Sequence, residues 1–480
     1  MATHSVDVAV IGAGTAGLGA YRAAREHTDR VRLIQAGPYG TTCARVGCMP
    51  SKLLIAAADA AEEARHAGRF GIEAGPVAVD GRAVMARVRS ERDRFVGFVL
   101  ESVESIPAEH RLEGHARFLD DHTLAVDEHT RLQAERIVIA TGSRPAVVPF
   151  LEAAGDRLIV NDDLFDFTDL PDSVAVFGPG VIGLELGQAL QRLGVRVRMF
   201  GVGGAVGPIQ DDDIRALALE TFNEAFPLDP DATVHRVERV DGGVEIDFDG
   251  TEGERHSEMF DYVLATTGRR PNVDGLALEN TSLERDERGQ PVFDRHTLQC
   301  GGSHVFIAGD ANNELPLLHE ASDEGRIAGA NAARYPEVHT GLRRTPLAIL
   351  FTDPQIATAG LTIQQVDERC RSCFAVGAVS FEGQGRARVM GQNRGMLRVY
   401  GEQGTGLFLG AEMFGPAAEH IGHLLAWCAQ KRMTVSEMLD MPFYHPVIEE
   451  GLRTALRDLN HKLHIGPALV DQCLECGPGA

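Results

Sequence analysis

Twice in this chain an apolar run passes straight into G-x-G-x-x-G and then into a helix-like segment. Twice the unit so begun closes on an apolar strand ending in Thr-Gly-x-Arg-Pro. From residue 345 onward the fingerprint does not recur, and strands mix with helices. These observations predict an α/β fold: two Rossmann-like dinucleotide-binding domains and a C-terminal α+β domain. A glycine fingerprint between strand and helix is the first turn of a βαβ unit, and its recurrence marks an internal repeat. The expected organisation is a first nucleotide domain from 1–145 and 272–344, a second from 146–271, an α+β domain from 345–465 and a flexible tail from 466–480.

The first unit opens on Val6–Ile11, which reads as a buried parallel strand. Gly12, Gly14 and Gly17 follow, then a helix over Leu18–Glu26 and a strand over Val31–Ile34. The glycines permit a tight turn, close approach of a pyrophosphate to the backbone, and close helix–strand packing. Helix N-terminal amides then bind the phosphates. An acidic residue at the end of the second strand would hold ribose hydroxyls; here the position is Gln35, which hydrogen-bonds without charge.

Next comes Thr42-Cys43-Ala44-Arg45-Val46-Gly47-Cys48-Met49-Pro50-Ser51-Lys52. An ideal helix rises about 7.5 Å over five residues, whereas disulfide Cα atoms lie roughly 4.4–6.8 Å apart. If the stretch is helical and Cys43 and Cys48 join, the helix must break locally, and Gly47 is the expected place. A thiol near a helix N-terminus loses its proton more readily. In isolation, such a pair is better read as two buried free cysteines. Helices are expected over 56–111 around a loop at 71–80, short strands over 112–135, and a strand from Ile137 into Thr141-Gly142.

The second unit runs from Val174–Phe177 through Gly178, Gly180 and Gly183 to Glu185, and closes at Tyr262–Ala265 before Thr267-Gly268. Two dinucleotide sites in one chain point to hydride passing between a nicotinamide and a second cofactor, naturally a flavin. The acid that would select NAD is expected near Phe200-Gly201, and Gly201 stands there. No arginine pair follows it to hold a 2′-phosphate, although Arg196 and Arg198 precede it, so the reading leans to NAD without excluding NADP. His304–Ile307 is a strand ending at Gly309-Asp310. In the last domain, strands are expected at 347–352, 378–381 and 406–413, and helices at 419–431 and 449–464.

Net charge is −23, from 69 acidic and 46 basic residues. That balance argues against nucleic acid and anionic membrane as partners, which need a basic face. No apolar run reaches membrane-spanning length, and residues 1–7 lack the basic region of a signal peptide. Eight cysteines in 480 residues are too sparse for a secreted disulfide scaffold, so a cytoplasmic location is expected.

The run Gly40-Thr41-Thr42-Cys43 through Cys48-Met49-Pro50-Ser51-Lys52 resembles the redox-disulfide signature of the pyridine nucleotide-disulfide oxidoreductases, and most nearly that of the dihydrolipoyl dehydrogenases. Gly309-Asp310 resembles their second flavin motif, and His445-Pro446 with Glu450 their C-terminal base, with Val447 where a threonine is usual. The resemblance implies that Cys43 is the outer, exchanging thiol and that Cys48 passes electrons to FAD. It implies that Lys52 pairs with Glu185 beside the flavin and that Asp310 accepts hydrogen bonds from ribityl hydroxyls. His445 would take up substrate protons, oriented by Glu450. The C-terminal domain would form a homodimer whose active sites are shared between subunits, acting on a small dithiol such as a lipoyl group.

Two C-x-x-C pairs remain. Cys370 and Cys373 read as structural, and no metal site is expected. Cys473 and Cys476 resemble the tail dithiols of mercuric and thioredoxin reductases, and could relay electrons to a bulky substrate. That feature carries the alternative of an NADPH-driven disulfide or mercuric reductase. A flavin-binding sensor without turnover is the alternative from another class; it would need the Cys43–Cys48 pair to be idle.

Overall fold

The computed structural model describes residues 2–464 apart from 251, 252 and 372. The first sheet is built on the strand Ala2–Ile11, which pairs in parallel with Val31–Gln35 on one side and Thr130–Ile139 on the other. Val8, Ala9 and Val10 are fully buried, which is why the run is apolar on both faces. Arg111–Glu113 extends one edge in parallel; Thr123–Val126 and Ala116–Phe118 extend the other as antiparallel strands. The distant strand Val305–Ile307 returns to pair in parallel with Ile137–Ile139.

The helix after the first fingerprint spans Thr15–Arg25 and starts three residues earlier than the sequence suggests, because Gly14 is its N-cap. The end of the fingerprint is therefore helix. Its buried face meets the helix Leu318–Arg334 at very short range. A Cβ at Gly325 would lie 2.1 Å from the Ala16 carbonyl oxygen, and one at Gly329 2.2 Å from that of Ala20. Only glycine permits that crossing.

The second sheet has the order Leu228–Asp229, Arg196–Phe200, Ser173–Phe177, Tyr262–Ala265, Leu158–Ile159, all parallel. A three-stranded antiparallel meander, Val234–Val240, Gly243–Asp249 and Arg255–Phe260, covers it. The two Thr-Gly-x-Arg-Pro segments meet: Ser143–Pro145 pairs antiparallel with Arg269–Pro271. The two ends of the repeat thus form one ribbon joining the two units.

The third sheet orders Leu347–Leu350, Gln355–Gly360, Phe408–Gly415, Met396–Glu402 and Phe374–Ser380, antiparallel throughout. Helices Ala418–Gln430 and Glu450–Lys462 pack on it through Ile421, Leu425, Leu452, Leu456 and Leu459. Two of its strands, 355–360 and 396–402, and the helix Ile363–Cys370 were not legible in the sequence. No described helix is long and apolar enough to cross a membrane.

Candidate redox site

The dithiol stretch folds as two helices broken at the glycine. Thr42–Val46 is a short helix whose Thr41 hydroxyl accepts the Ala44 N–H at 3.3 Å. Gly47 then leaves helical geometry (φ −124°, ψ −116°), and a second helix runs from Cys48 to His66. A Cβ on Gly47 would stand 3.1 Å from the Thr42 carbonyl oxygen and 3.3 Å from the Cys43 Cα. The break folds the first helix back over the start of the second, and a side chain at 47 would push the two cysteines apart.

Cys43 and Cys48 are both free, and a single side-chain hydrogen bond links them. The Cys43 thiol donates to Cys48, and this holds Cys48 down to about 7; Lys52 acts in the same direction and burial opposes both. Cys43, as donor beside a thiolate and partly buried, is pushed far up. Cys48 also begins a helix whose N-terminus has no side-chain cap, so free amides face it. The pair therefore holds one proton readily and releases the other near neutrality. By accessibility the order is the reverse of the outer and inner roles: Cys43 is half-buried and Cys48 exposed.

Lys52 lies one turn on from Cys48. Its ammonium donates to both oxygens of Glu185, at 2.9 and 2.7 Å, and stands 4.7 Å from the centre of the Phe351 ring. Glu185 is 4% exposed, and its Oε1 also accepts the Phe351 N–H at 3.0 Å. Removing the lysine leaves a buried carboxylate uncompensated near the dithiol, which disfavours a second negative charge. Lys52→Met is expected to raise the Cys48 midpoint by about one unit, read as the pH dependence of iodoacetamide alkylation of the reduced protein.

The two fingerprints divide their glycines by task. A Cβ at Gly12 would lie 2.2 Å from the Ala140 oxygen, and one at Gly17 1.7 Å from the Gly12 oxygen. In the second unit Gly178 and Gly183 are closed in the same way, at 2.5 Å from the Thr266 oxygen and 2.1 Å from the Gly178 oxygen. Gly14 and Gly180, by contrast, have nothing within 4 Å of a Cβ position, and each is the uncapped N-cap of its helix. Open space over free amides is a cradle for a pyrophosphate. Gly142 and Gly268 hold positive φ, +67° and +109°, in equally open surroundings. The Thr141 hydroxyl and the Tyr39 hydroxyl are buried without partners among the described residues. These features fit a bound dinucleotide.

Gln35 is turned inward. Its amide oxygen accepts the Ala13 N–H at 2.7 Å, and its amide nitrogen donates to the Ala36 and Pro38 carbonyls. It shapes the glycine turn as much as it faces a ribose. Asp310 accepts a 2.6 Å hydrogen bond from Ser143, and the turn before it is held by a residue that sequence reasoning missed. Glu324, 1% exposed, accepts the Gly309 N–H and the Asn312 amide at 2.7 Å each, and pairs with Arg343 at 2.7 Å. Burial raises Glu324 despite Arg343. The signal available was a helix whose apolar face carries Glu320, Asp323 and Glu324.

His445 and Glu450 meet as expected, with Nδ1 at 3.0 and 3.1 Å from the two carboxylate oxygens. The Val447 N–H donates to the same carboxylate at 3.2 Å. The hydrogen bond with His445, then that from Val447, holds Glu450 below the usual carboxylate range. His445 is 80% exposed, and among the described residues its only hydrogen-bond partner is Glu450. Among the described residues no hydrogen bond or ion pair links it to Cys43 or Cys48. Cys370 is half-buried and Cys373 exposed, both free. Cys473 and Cys476 lie outside the described residues.

A family model described as pyridine nucleotide-disulphide oxidoreductase matches residues 6–325, and one for that family's dimerisation domain matches 347–456. Dihydrolipoyl dehydrogenase of Bacillus subtilis is 30% identical over 463 residues, covering 94% of this chain and 97% of that one. Dihydrolipoyl dehydrogenase 3 of Pseudomonas aeruginosa is 30% identical over 476 residues, 95% of this chain and 98% of that one. Among solved structures, LpdA of Mycobacterium tuberculosis superposes with a TM-score of 0.80 at 26% identity, covering 94% and 99%. The flavoprotein disulfide reductase RclA of Escherichia coli, at 22% identity, shares the fold with a TM-score of 0.79 over 95% and 99%.

Proposed function

The chain belongs to the pyridine nucleotide-disulphide oxidoreductase family and is a dihydrolipoyl dehydrogenase-like enzyme, and from that premise we propose that it oxidises a small dithiol, a lipoyl group, with NAD, through the Cys43–Cys48 pair and FAD. One observation carries the reading: the helix break at Gly47 that sets Cys43 against a Cys48 held at about 7.

In the oxidised pair, a substrate thiolate attacks Cys43 Sγ and Cys48 leaves as thiolate. A low-pKa thiol is the better leaving group, and Lys52 favours the Cys48 thiolate in this step; the Cys43 hydrogen bond adds to it once Cys43 is released as a thiol. The second substrate thiol then gives its proton to His445 and attacks its own sulfur in the mixed disulfide. Cys43 is released, and the substrate departs as a disulfide. Electrons and atoms balance: the substrate, entering as a monoanion, loses two electrons and one further proton, the pair gains both electrons, and the proton held on His445 passes to Cys43 as it leaves as a thiol. Glu450 keeps the His445 ring in position and supports its protonated form.

Gly12, Gly14, Gly17, Gln35, Gly142 and Asp310 would hold FAD, with Lys52 and Glu185 at its ring; Gly178, Gly180, Gly183 and Gly268 would hold the nicotinamide dinucleotide. FAD, when bound, supplies two-electron exchange between a thiolate and a nicotinamide. Cys48 lies within electrostatic reach of Lys52 and Glu185, the residues that this reading places at the flavin ring. The dimerisation domain supports a homodimer, and the exposed His445 supports a site completed by a second subunit.

The test is the oxidation of dihydrolipoamide by NAD, with NADP in parallel. Turnover with NAD is expected. Flavin-loaded protein that oxidises dihydrolipoamide with neither nucleotide would overturn the substrate assignment.

A further inference from the structure

The second nucleotide unit lacks the residue that ordinarily reads the adenosine ribose, and the structure shows that no side chain can stand in its place. A Cβ at Gly201 would lie 2.6 Å from the Pro230 oxygen and 2.8 Å from Pro179 Cγ. The two arginines of the strand before it are spent elsewhere. Arg198 pairs with Glu258 at 2.7 Å and lies over the Phe248 ring; Arg196 pairs with Glu258 at 3.2 Å and lies over Phe260. Both reach towards the meander strands, so neither is poised to hold a 2′-phosphate.

What closes Gly201 also brings a carboxylate to it. The strands Arg196–Phe200 and Leu228–Asp229 are parallel neighbours, and their carboxyl ends form the rim at which an open α/β sheet binds its ligand. The loops leaving them are laced together. The Gly201 N–H donates to the Asp229 carbonyl at 2.7 Å, the Ala232 N–H to the Gly201 carbonyl at 3.0 Å, and the Gly204 N–H to the Pro230 carbonyl at 3.0 Å. Within that lacing the Gly203 N–H donates to Asp231 Oδ1 at 2.7 Å. The Asp231 N–H is tied to Asp229 Oδ1 at 3.0 Å, which fixes the turn. Asp231 is exposed, and its Oδ2 takes no hydrogen bond from the described residues.

We propose that Asp231, on the loop after the third strand of the unit, replaces the missing strand-end acid: it accepts a ribose hydroxyl of NAD and rejects a 2′-phosphate. The proposal rests on the second fingerprint being the nicotinamide site. An anchored carboxylate offers an acceptor to a hydroxyl, whereas a phosphate beside it is like charge on like charge. Specificity arises by repulsion as much as by contact.

The test uses the flavin-loaded protein. Binding of ADP-ribose and of its 2′-phosphate is measured by titration calorimetry, and flavin bleaching by NADH and NADPH by stopped flow. The native protein is expected to favour the unphosphorylated ligand by at least about tenfold. Asp231→Asn keeps an oxygen for the Gly203 N–H and removes only the charge; it should shrink that ratio about tenfold, and Asp231→Arg should invert it. If both nucleotides bleach the flavin and neither variant moves the ratio, the role of Asp231 is overturned while the redox reading stands. If neither nucleotide bleaches the native flavin, both fall together.

Discussion

Cys48→Ser is expected to lower dihydrolipoamide turnover at least about 10³-fold, while leaving electron flow from NADH to ferricyanide near the native rate. The split follows from the geometry. Ferricyanide takes electrons without passing through a dithiol, so it reports the nucleotide sites alone. The proposed route needs a sulfur at 48 that can leave as an anion near neutrality; Lys52 favours that anion, and the hydrogen bond from Cys43 holds it once Cys43 is free again. A serine hydroxyl forms no disulfide. Cys43→Ala should be as damaging to turnover, with a different signature. Loss of the Cys43 donor removes the largest influence lowering Cys48, so the Cys48 alkylation midpoint must rise above about 7. A Cys43→Ala protein that alkylates with an unchanged midpoint would contradict the paired arrangement.

The dithiol was legible through the resemblance of the run from Gly40 to Lys52 to the family's redox signature, and its helix break through local geometry. Two cysteines five apart need a break between them, and Gly47 is the residue that can stand against the Thr42 carbonyl. The parallel strands at 6–11 and 173–177 were legible from their unbroken apolar runs, and the fingerprints from their glycines. Val234–Val240 was not: it reads Val-His-Arg-Val-Glu-Arg-Val, a surface strand whose polar residues stay in water. Gln355–Gly360 is Gln-Ile-Ala-Thr-Ala-Gly, too small-residued to declare a strand before its neighbours cover it. Glu324 and Asp231 belong to the same class of omission. Which acid turns inward under a flavin motif, and which is carried to an emptied strand end, depends on contacts between segments far apart in sequence. Sequence could show that Gly201 carries no acid; only the packing of Pro179 and Pro230 shows that it cannot.

The His445–Glu450 pair was legible only through the resemblance of His445-Pro446 and Glu450 to the family's C-terminal base, and its proposed place in the catalytic unit is a matter of assembly. The pair is preformed: Glu450 receives both the ring and the Val447 N–H, so the imidazole is oriented before any partner arrives. It is also highly exposed and, among the described residues, makes no hydrogen bond to its own dithiol, as a base would if it served a second subunit. A mixture of two inactive proteins can test this. Cys48→Ser lacks a working dithiol, and His445→Ala lacks the base, with an expected loss of about 10²–10⁴-fold in dihydrolipoamide turnover. Reassociated at equal concentrations, half of the dimers should be mixed, and each of these carries one site with both a native dithiol and a native histidine from the other subunit. Turnover should therefore recover to about a quarter of the native value if sites are shared across a two-fold interface. If each subunit worked alone, no mixture would contain an intact site and recovery would be nil. The Glu450→Gln protein should fall between, since it keeps a hydrogen bond to the ring and loses the charge that supports the imidazolium.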